Sequence, residues 1–105
     1  MNKVNFGAAI EAAKEGKLIA REGWNGKGMF VFQRPADEIP INVIPNIKSL
    51  PESVKEVIKR NYGVEVEQKV KFTAYLCMKA ADGSIVNGWL ASQTDMLAED
   101  WLILN

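Results

Sequence analysis

The sequence predicts an α+β domain: a small antiparallel sheet of hairpins with an N-terminal helix and one helix in a central insertion. Three observations predict it. Apolar residues recur at helical spacing at Phe6, Ala9, Ile10 and Ala13, and again at Val54, Val57 and Ile58. Strand-forming runs are separated by glycine-rich or Asp-Gly turns, as antiparallel hairpins require. Helical and hairpin segments alternate irregularly along the chain, which is the pattern of an α+β class. With 105 residues a single domain, 1–105, is expected, able to bury roughly 65% of its unfolded surface without staples.

In order, Asn5 is a good N-cap for a first helix of about three turns, and Gly16 is placed to end it in a left-handed turn. A short strand over 17–21 follows, then the loop Glu22-Gly23-Trp24-Asn25-Gly26-Lys27-Gly28, then a strand over 29–33 that pairs with the first. All four prolines fall at Pro35, Pro40, Pro45 and Pro51, so residues 34–51 read as extended or irregular, with an edge strand near 41–44. Ser49-Leu50-Pro51-Glu52 is a capping-box pattern. It starts a helix to about Asn61, with Gly63 as its stop. A long strand is expected over 70–79, the Ala81-Asp82-Gly83 turn next, a return strand over 85–90, a loop with one helical turn over 91–100, and a closing strand over 101–104.

Composition excludes several functions. There is no histidine, which removes the usual general base, the commonest metal ligand and any Ser-His or Cys-His triad within one chain. Lys plus Arg and Asp plus Glu are 13 each. Zero net charge argues against a coat for DNA or RNA polymers, which draw affinity from a cationic surface, while leaving room for a pocket that takes one small anion. The single cysteine, Cys77, permits no intrachain disulfide and reads as an inert core residue. No signal peptide is visible over residues 1–13 and no apolar run is long enough for a membrane span, so a cytoplasmic location is expected.

Two constellations carry possible chemistry. In Trp24-Asn25-Gly26 an exposed indole would give a nucleobase a stacking face, worth about 1–3 kcal/mol per base in single-strand binders. The surrounding glycines offer backbone N–H groups to phosphate oxygens. On pattern alone the plainer reading is favoured, a hairpin turn whose tryptophan folds back onto the core. The second constellation runs from Trp89 to Trp101 around Ser92, Gln93, Thr94 and Asp95. Here an amide can read a base edge and a carboxylate can hold ribose hydroxyls. The plainer reading is a helix start, with Ser92 or Thr94 as N-cap and Asp95 favouring the helix dipole. Arg21 and Arg34, placed at strand ends near the first loop, can clamp phosphate or simply pair with surface carboxylates. Asp95, Glu99 and Asp100 admit an acid-pair or metal reading, against the commoner one of solvated loop acids.

Four blocks carry a family resemblance: Asn5-Phe6-Gly7-Ala8-Ala9, the stretch 20–29 containing Gly23-Trp24-Asn25-Gly26, the stretch 78–86 with its Ala81-Asp82-Gly83 turn, and Trp89-Leu90-Ala91-Ser92-Gln93-Thr94-Asp95 continuing to Trp101. They resemble the second Thoeris anti-defence family of small phage and prophage proteins. The resemblance implies a non-catalytic sponge that binds a cyclic ADP-ribose isomer made by Thoeris immunity and holds it unchanged. Some members also bind cyclic dinucleotides at separate sites. It implies a homotetramer with pockets between subunits, acting in the infected host's cytoplasm without cofactor or metal. The implied ligand contacts are Trp24 for stacking, Asn25, Gln93 and Thr94 for polar reading, and Asp95 for ribose hydroxyls. Gly26, Arg21 and Trp89 complete the candidate set. Residues 34–69 are longer than in the shortest relatives and form a variable insertion. Its helix carries Lys55, Lys59 and Arg60 and can line an extra nucleotide site, pack on the surface or build the tetramer.

Two other readings stand beside the sponge. One is a hydrolase of the same signal with Asp95 or Glu99 as base, disfavoured by the missing histidine. The other is a protein-interaction module of a phage or prophage, since tryptophans serve protein interfaces as well.

Overall fold

The computed structural model describes residues 2–24, 28–62 and 68–104. The chain forms two compact units, one from residues 1–35 with 74–105 and one from residues 36–73. The fold is α+β.

In the first unit, α1 (Phe6–Lys14) begins where the Asn5 side chain accepts the Ala8 N–H at 2.8 Å, satisfying one of the four unpaired donors of the first turn. It ends as expected at Gly16, with φ +92°. Strands β1 (Ile19–Arg21), β2 (Phe30–Arg34), β5 (Tyr75–Lys79), β6 (Ile85–Asn87) and β7 (Trp101–Ile103) form one antiparallel sheet in the order β6-β5-β2-β1-β7. The expected hairpin of β1 and β2 is present, with Ile19 opposite Val31. Strand alternation places Ile103, Ile19, Val31 and Met78 in one cross-strand row. These residues pack with Ala9, Ala12 and Ala13 of α1 and with Trp101. The three alanines are almost wholly buried: a small-residue face lets α1 lie close to the sheet. Beyond β7, Val4 and Trp101 exchange both backbone hydrogen bonds, at 2.8 and 3.1 Å.

Several expected boundaries move. The long strand over 70–79 is two strands, β4 (Lys69–Phe72) in the second unit and β5 in the first. The run of strand formers gives no local signal of the break at Thr73 and Ala74. The return strand stops at Asn87 because Gly88 takes φ +80°, a conformation that leaves the pleat. The helical turn near the C-terminus is α3 (Gln93–Leu97).

In the second unit the edge strand lies earlier than expected. It is β3 (Asp37–Pro40), antiparallel to β4 with Ile39 opposite Val70, and Ile44–Asn46 is a short 3-10 helix. Pro40 closes β3 since it has no N–H for the ladder. Helix α2 (Glu52–Tyr62) starts directly after Pro51, whose carbonyl accepts from Val54 and Lys55 N–H. Its expected apolar stripe is only partly covered, with Val54 and Val57 exposed. Lys55 is tied down, donating to the Pro45 carbonyl at 3.0 Å and to Glu52 at 3.2 Å, so the expected cationic row of α2 is reduced to Lys59 and Arg60. Gly63, the expected stop, lies outside the described residues. Among the described residues no helix is long and apolar enough to cross a membrane.

Candidate functional site

Sheet register brings the two constellations together. Arg21, the last residue of β1, lies opposite Trp101, the first of β7. The residues that follow β1 therefore run beside those that precede β7. The Glu22 N–H donates to the Asp100 carbonyl at 3.0 Å, fixing this contact through the main chain.

Helix α3 has a built start. Ser92 is its N-cap: its hydroxyl accepts the Asp95 N–H at 3.0 Å, and the Asp95 carboxylate accepts the Ser92 N–H at 3.1 Å. This reciprocal box satisfies two donors at once. The helix-start reading of Ser92 and Asp95 is thus realised, and Thr94 falls inside the helix.

Arg21 joins the two segments. Its Nε donates to Asp100 Oδ1 and its Nη1 to Asp95 Oδ1, each at 2.9 Å, with side-chain exposures of 17% for Arg21 and 14% for Asp95. The second oxygen of Asp100 accepts the Gly23 N–H at 2.9 Å. A chain of charge-assisted hydrogen bonds thus runs Gly23–Asp100–Arg21–Asp95–Ser92, and bonds of this type are the stronger ones. The Arg21 guanidinium is held still more firmly protonated, first by Asp100 and then by Asp95. For Asp95, burial favours the neutral acid, but hydrogen bonds from Arg21, Ser92 and Trp24 outweigh it and hold the carboxyl below its ordinary range. Asp100 is also lowered, chiefly by Arg21, against some burial and with help from the Gly23 N–H.

The three tryptophans form one edge-to-face cluster. Ring centroids are 5.4 Å apart for Trp24 and Trp101, 6.3 Å for Trp24 and Trp89, and 6.2 Å for Trp89 and Trp101, within the range where aromatic quadrupoles attract. Trp101 is fully buried, and its indole N–H donates to the Asp95 carbonyl at 2.9 Å. Trp24 and Trp89 are half-buried against the core. Trp24 therefore follows the plainer reading: it folds back, and presents part of its ring instead of a free stacking face.

Of the remaining candidates, Gln93 and Thr94 are exposed on the first turn of α3. Leu90 and Leu97, 89% and 80% exposed, flank that turn in the chain. Asn25 and Gly26 lie outside the described residues. Arg34 is not near the first loop. It ends β2 at the far end of the strand, with its guanidinium 5.6 Å from the Tyr75 ring centroid. Asp95 and Asp100 do not form an acid pair, because Arg21 sits between them. Sequence reasoning missed the role of Asp100. Its partner Arg21 is 79 positions away, and no local spacing signals such a pair. Cys77 is buried on β5 as expected, with its sulfur 3.5 Å from Asn87 Oδ1.

These features define a small α+β domain that carries an aromatic and polar surface at one end of its sheet, held by an arginine–carboxylate cluster. Residues 4–104 match the Thoeris anti-defense 2-like domain, and the chain belongs to that family. It is 34% identical over 103 residues to "Thoeris anti-defense 2" of Bacillus phage SP01, an alignment that covers 98% of this chain and 97% of the phage protein.

Proposed function

We propose that this chain is a phage anti-defence protein that binds a cyclic ADP-ribose isomer of Thoeris signalling and sequesters it without cleavage. The observation that carries this reading is the meeting of the segment after β1 with the start of α3, through Arg21 on Asp95 and Trp24 on Trp89 and Asp95, in a member of the Thoeris anti-defense 2-like family. Half-buried Trp24 and Trp89 supply aromatic walls for a base. Gln93 and Thr94 supply an amide and a hydroxyl to read it. The Asp95 carboxylate accepts from Arg21 on one oxygen and from the Ser92 N–H on the other, with the Trp24 side chain also against it. A carboxylate has about four lone-pair sites, so a ribose hydroxyl can still donate to it. Arg21 adds positive potential behind that carboxylate.

The absence of histidine from the sequence supports retention over turnover. A homotetramer that closes the pocket between subunits suits a surface flanked by exposed Leu90 and Leu97, because tight binding of a small ligand favours enclosure. The protein would act in the cytoplasm of the infected host. Cyclic dinucleotides are a second ligand class, for which exposed Lys59 and Arg60 on α2 are candidates.

The test is retention. Purified protein is mixed with the cyclic ADP-ribose isomer made by a Thoeris synthase, filtered free of excess and heat-denatured, and the released compound is identified by mass spectrometry. Intact isomer in near-stoichiometric amount is expected. A cleaved product would make the protein a hydrolase. Retention of nothing, together with a host protein in pull-downs, would favour an interaction module instead. Loss of cyclic dinucleotide binding on changing Lys59 and Arg60 to Glu is expected, and unchanged binding would remove α2 from that role.

A further inference from the structure

We propose that Asp100 is a positioning residue, which clamps the loop after β1 and the start of α3 into one geometry before any ligand arrives. Its two oxygens do different tasks. Oδ2 accepts the Gly23 N–H and Oδ1 accepts Arg21 Nε, both at 2.9 Å. Through Arg21 Nη1 the constraint passes to Asp95 and through Asp95 to the Ser92 N–H. Trp24 follows Gly23 directly, and its own N–H reaches back to the Arg21 carbonyl at 3.3 Å. Asp100 therefore ties the Gly23–Trp24 corner to the first turn of α3 through one unbroken set of hydrogen bonds.

Gly23 shows how close the fit is. A Cβ at this position would lie 3.0 Å from Asp100 Oδ2, so any side chain here would have to push the carboxylate back. An asparagine at 100 cannot replace the carboxylate. It has one acceptor oxygen for two donors, and its amide would face an N–H.

The use of the clamp in binding rests on the sponge reading; the clamp itself does not, and the experiment separates the two. Wild-type and Asp100→Asn proteins are compared by amide hydrogen exchange and by the Trp24 indole resonance, with no ligand present. In the variant, amides of α1 keep their protection, Gly23 exchanges about tenfold faster or more, as expected for losing a hydrogen bond to a charged acceptor, and the Trp24 resonance moves. An unchanged Gly23 rate and Trp24 resonance in folded Asp100→Asn would overturn the proposal. If that variant also loses α1 protection, Gly23→Ala decides, because it keeps Arg21 and both carboxylates. A shifted Trp24 resonance with α1 intact is then expected, and an unshifted one overturns the clamp. Affinity for the Thoeris cyclic ADP-ribose isomer is then measured on the same proteins. Equal affinity of wild type and Asp100→Asn would overturn the positioning role. A wild type that binds nothing would remove the sponge reading and leave the clamp to be judged on exchange alone.

Discussion

Trp24 meets Trp101 edge to face, with ring centroids 5.4 Å apart and planes at 79°. The contact couples a residue of the loop after β1 to the largest fully buried side chain of the sheet, so Trp24 has a packing role as well as a proposed binding one. Trp24→Ala should destabilise the protein by about 2 kcal/mol, below the range for truncating a fully buried aromatic. Trp24→Phe should recover most of that loss. Urea midpoints measure the stability. If ligand affinity is lost in both variants while stability returns in the second, the indole itself is the ligand contact.

Ser92 and Thr94 separate a cap from an exposed hydroxyl. Ser92→Ala removes the acceptor for the Asp95 N–H and should cost about 1 kcal/mol. Thr94→Ala should change stability by less than about 0.5 kcal/mol while weakening ligand binding. Thermal melts and titrations of the two variants give the comparison, and equal stability losses would contradict the assigned cap.

Stability should fall in acid. Asp95 and Asp100 both have carboxyl groups held below their ordinary value in the folded protein. The unfolded chain therefore takes up protons first as pH drops. Their contribution is complete above the ordinary aspartate value of about 3.9 and is lost as pH falls through the lower folded-state values. Arg21, which faces both, stays charged throughout. The neighbouring Lys3–Glu22 pair is half-exposed and adds little. Urea midpoints followed below about pH 4 should decline more steeply in wild type than in Asp100→Asn. Parallel declines would mean that Asp100 is not part of the linkage.

The alanine face of α1 predicts intolerance of larger residues. Ala9 is fully buried between the helix and the sheet, and Ala9→Leu should destabilise by about 1–3 kcal/mol through overpacking. Ala8, exposed on the same helix, should accept leucine with little change, and paired thermal melts check the contrast.

How far the sequence carried depended on whether a feature was local. Asn5 as cap, Gly16 as helix end and the Phe6, Ala9, Ile10, Ala13 stripe are set by neighbours within a few positions, and the structure follows them. The break between β4 and β5 is not local. Residues 70–79 all suit a strand, and only the separate pairing of β4 with β3 and of β5 with β2 divides them. The site shows the same division. Ser92 and Asp95 were readable as a helix start because the capping box spans four residues. Asp100 was read as a solvated acid, since nothing near it in the chain reveals Arg21. Arg34 was placed beside the first loop, but a five-residue strand carries it to the other end of the sheet. The family resemblance drew on the blocks around Trp24 and Asp95, and those are the blocks that the β1–β7 register brings together.

Arg34 and Tyr75 are directly opposite one another at the ends of β2 and β5, so the whole of residues 36–73 leaves and re-enters the sheet through a gap one strand spacing wide, about 5 Å. A hairpin turn of two residues spans the same gap. The sheet, α1 and the Arg21 cluster thus form a chassis with a single standard socket, into which segments of very different length can be fitted at little entropic cost, since each doubling of a loop adds only about 0.6 kcal/mol. Replacing residues 36–73 by a two-residue turn is therefore expected to leave the β2–β5 pairing intact, which amide exchange of those two strands would report.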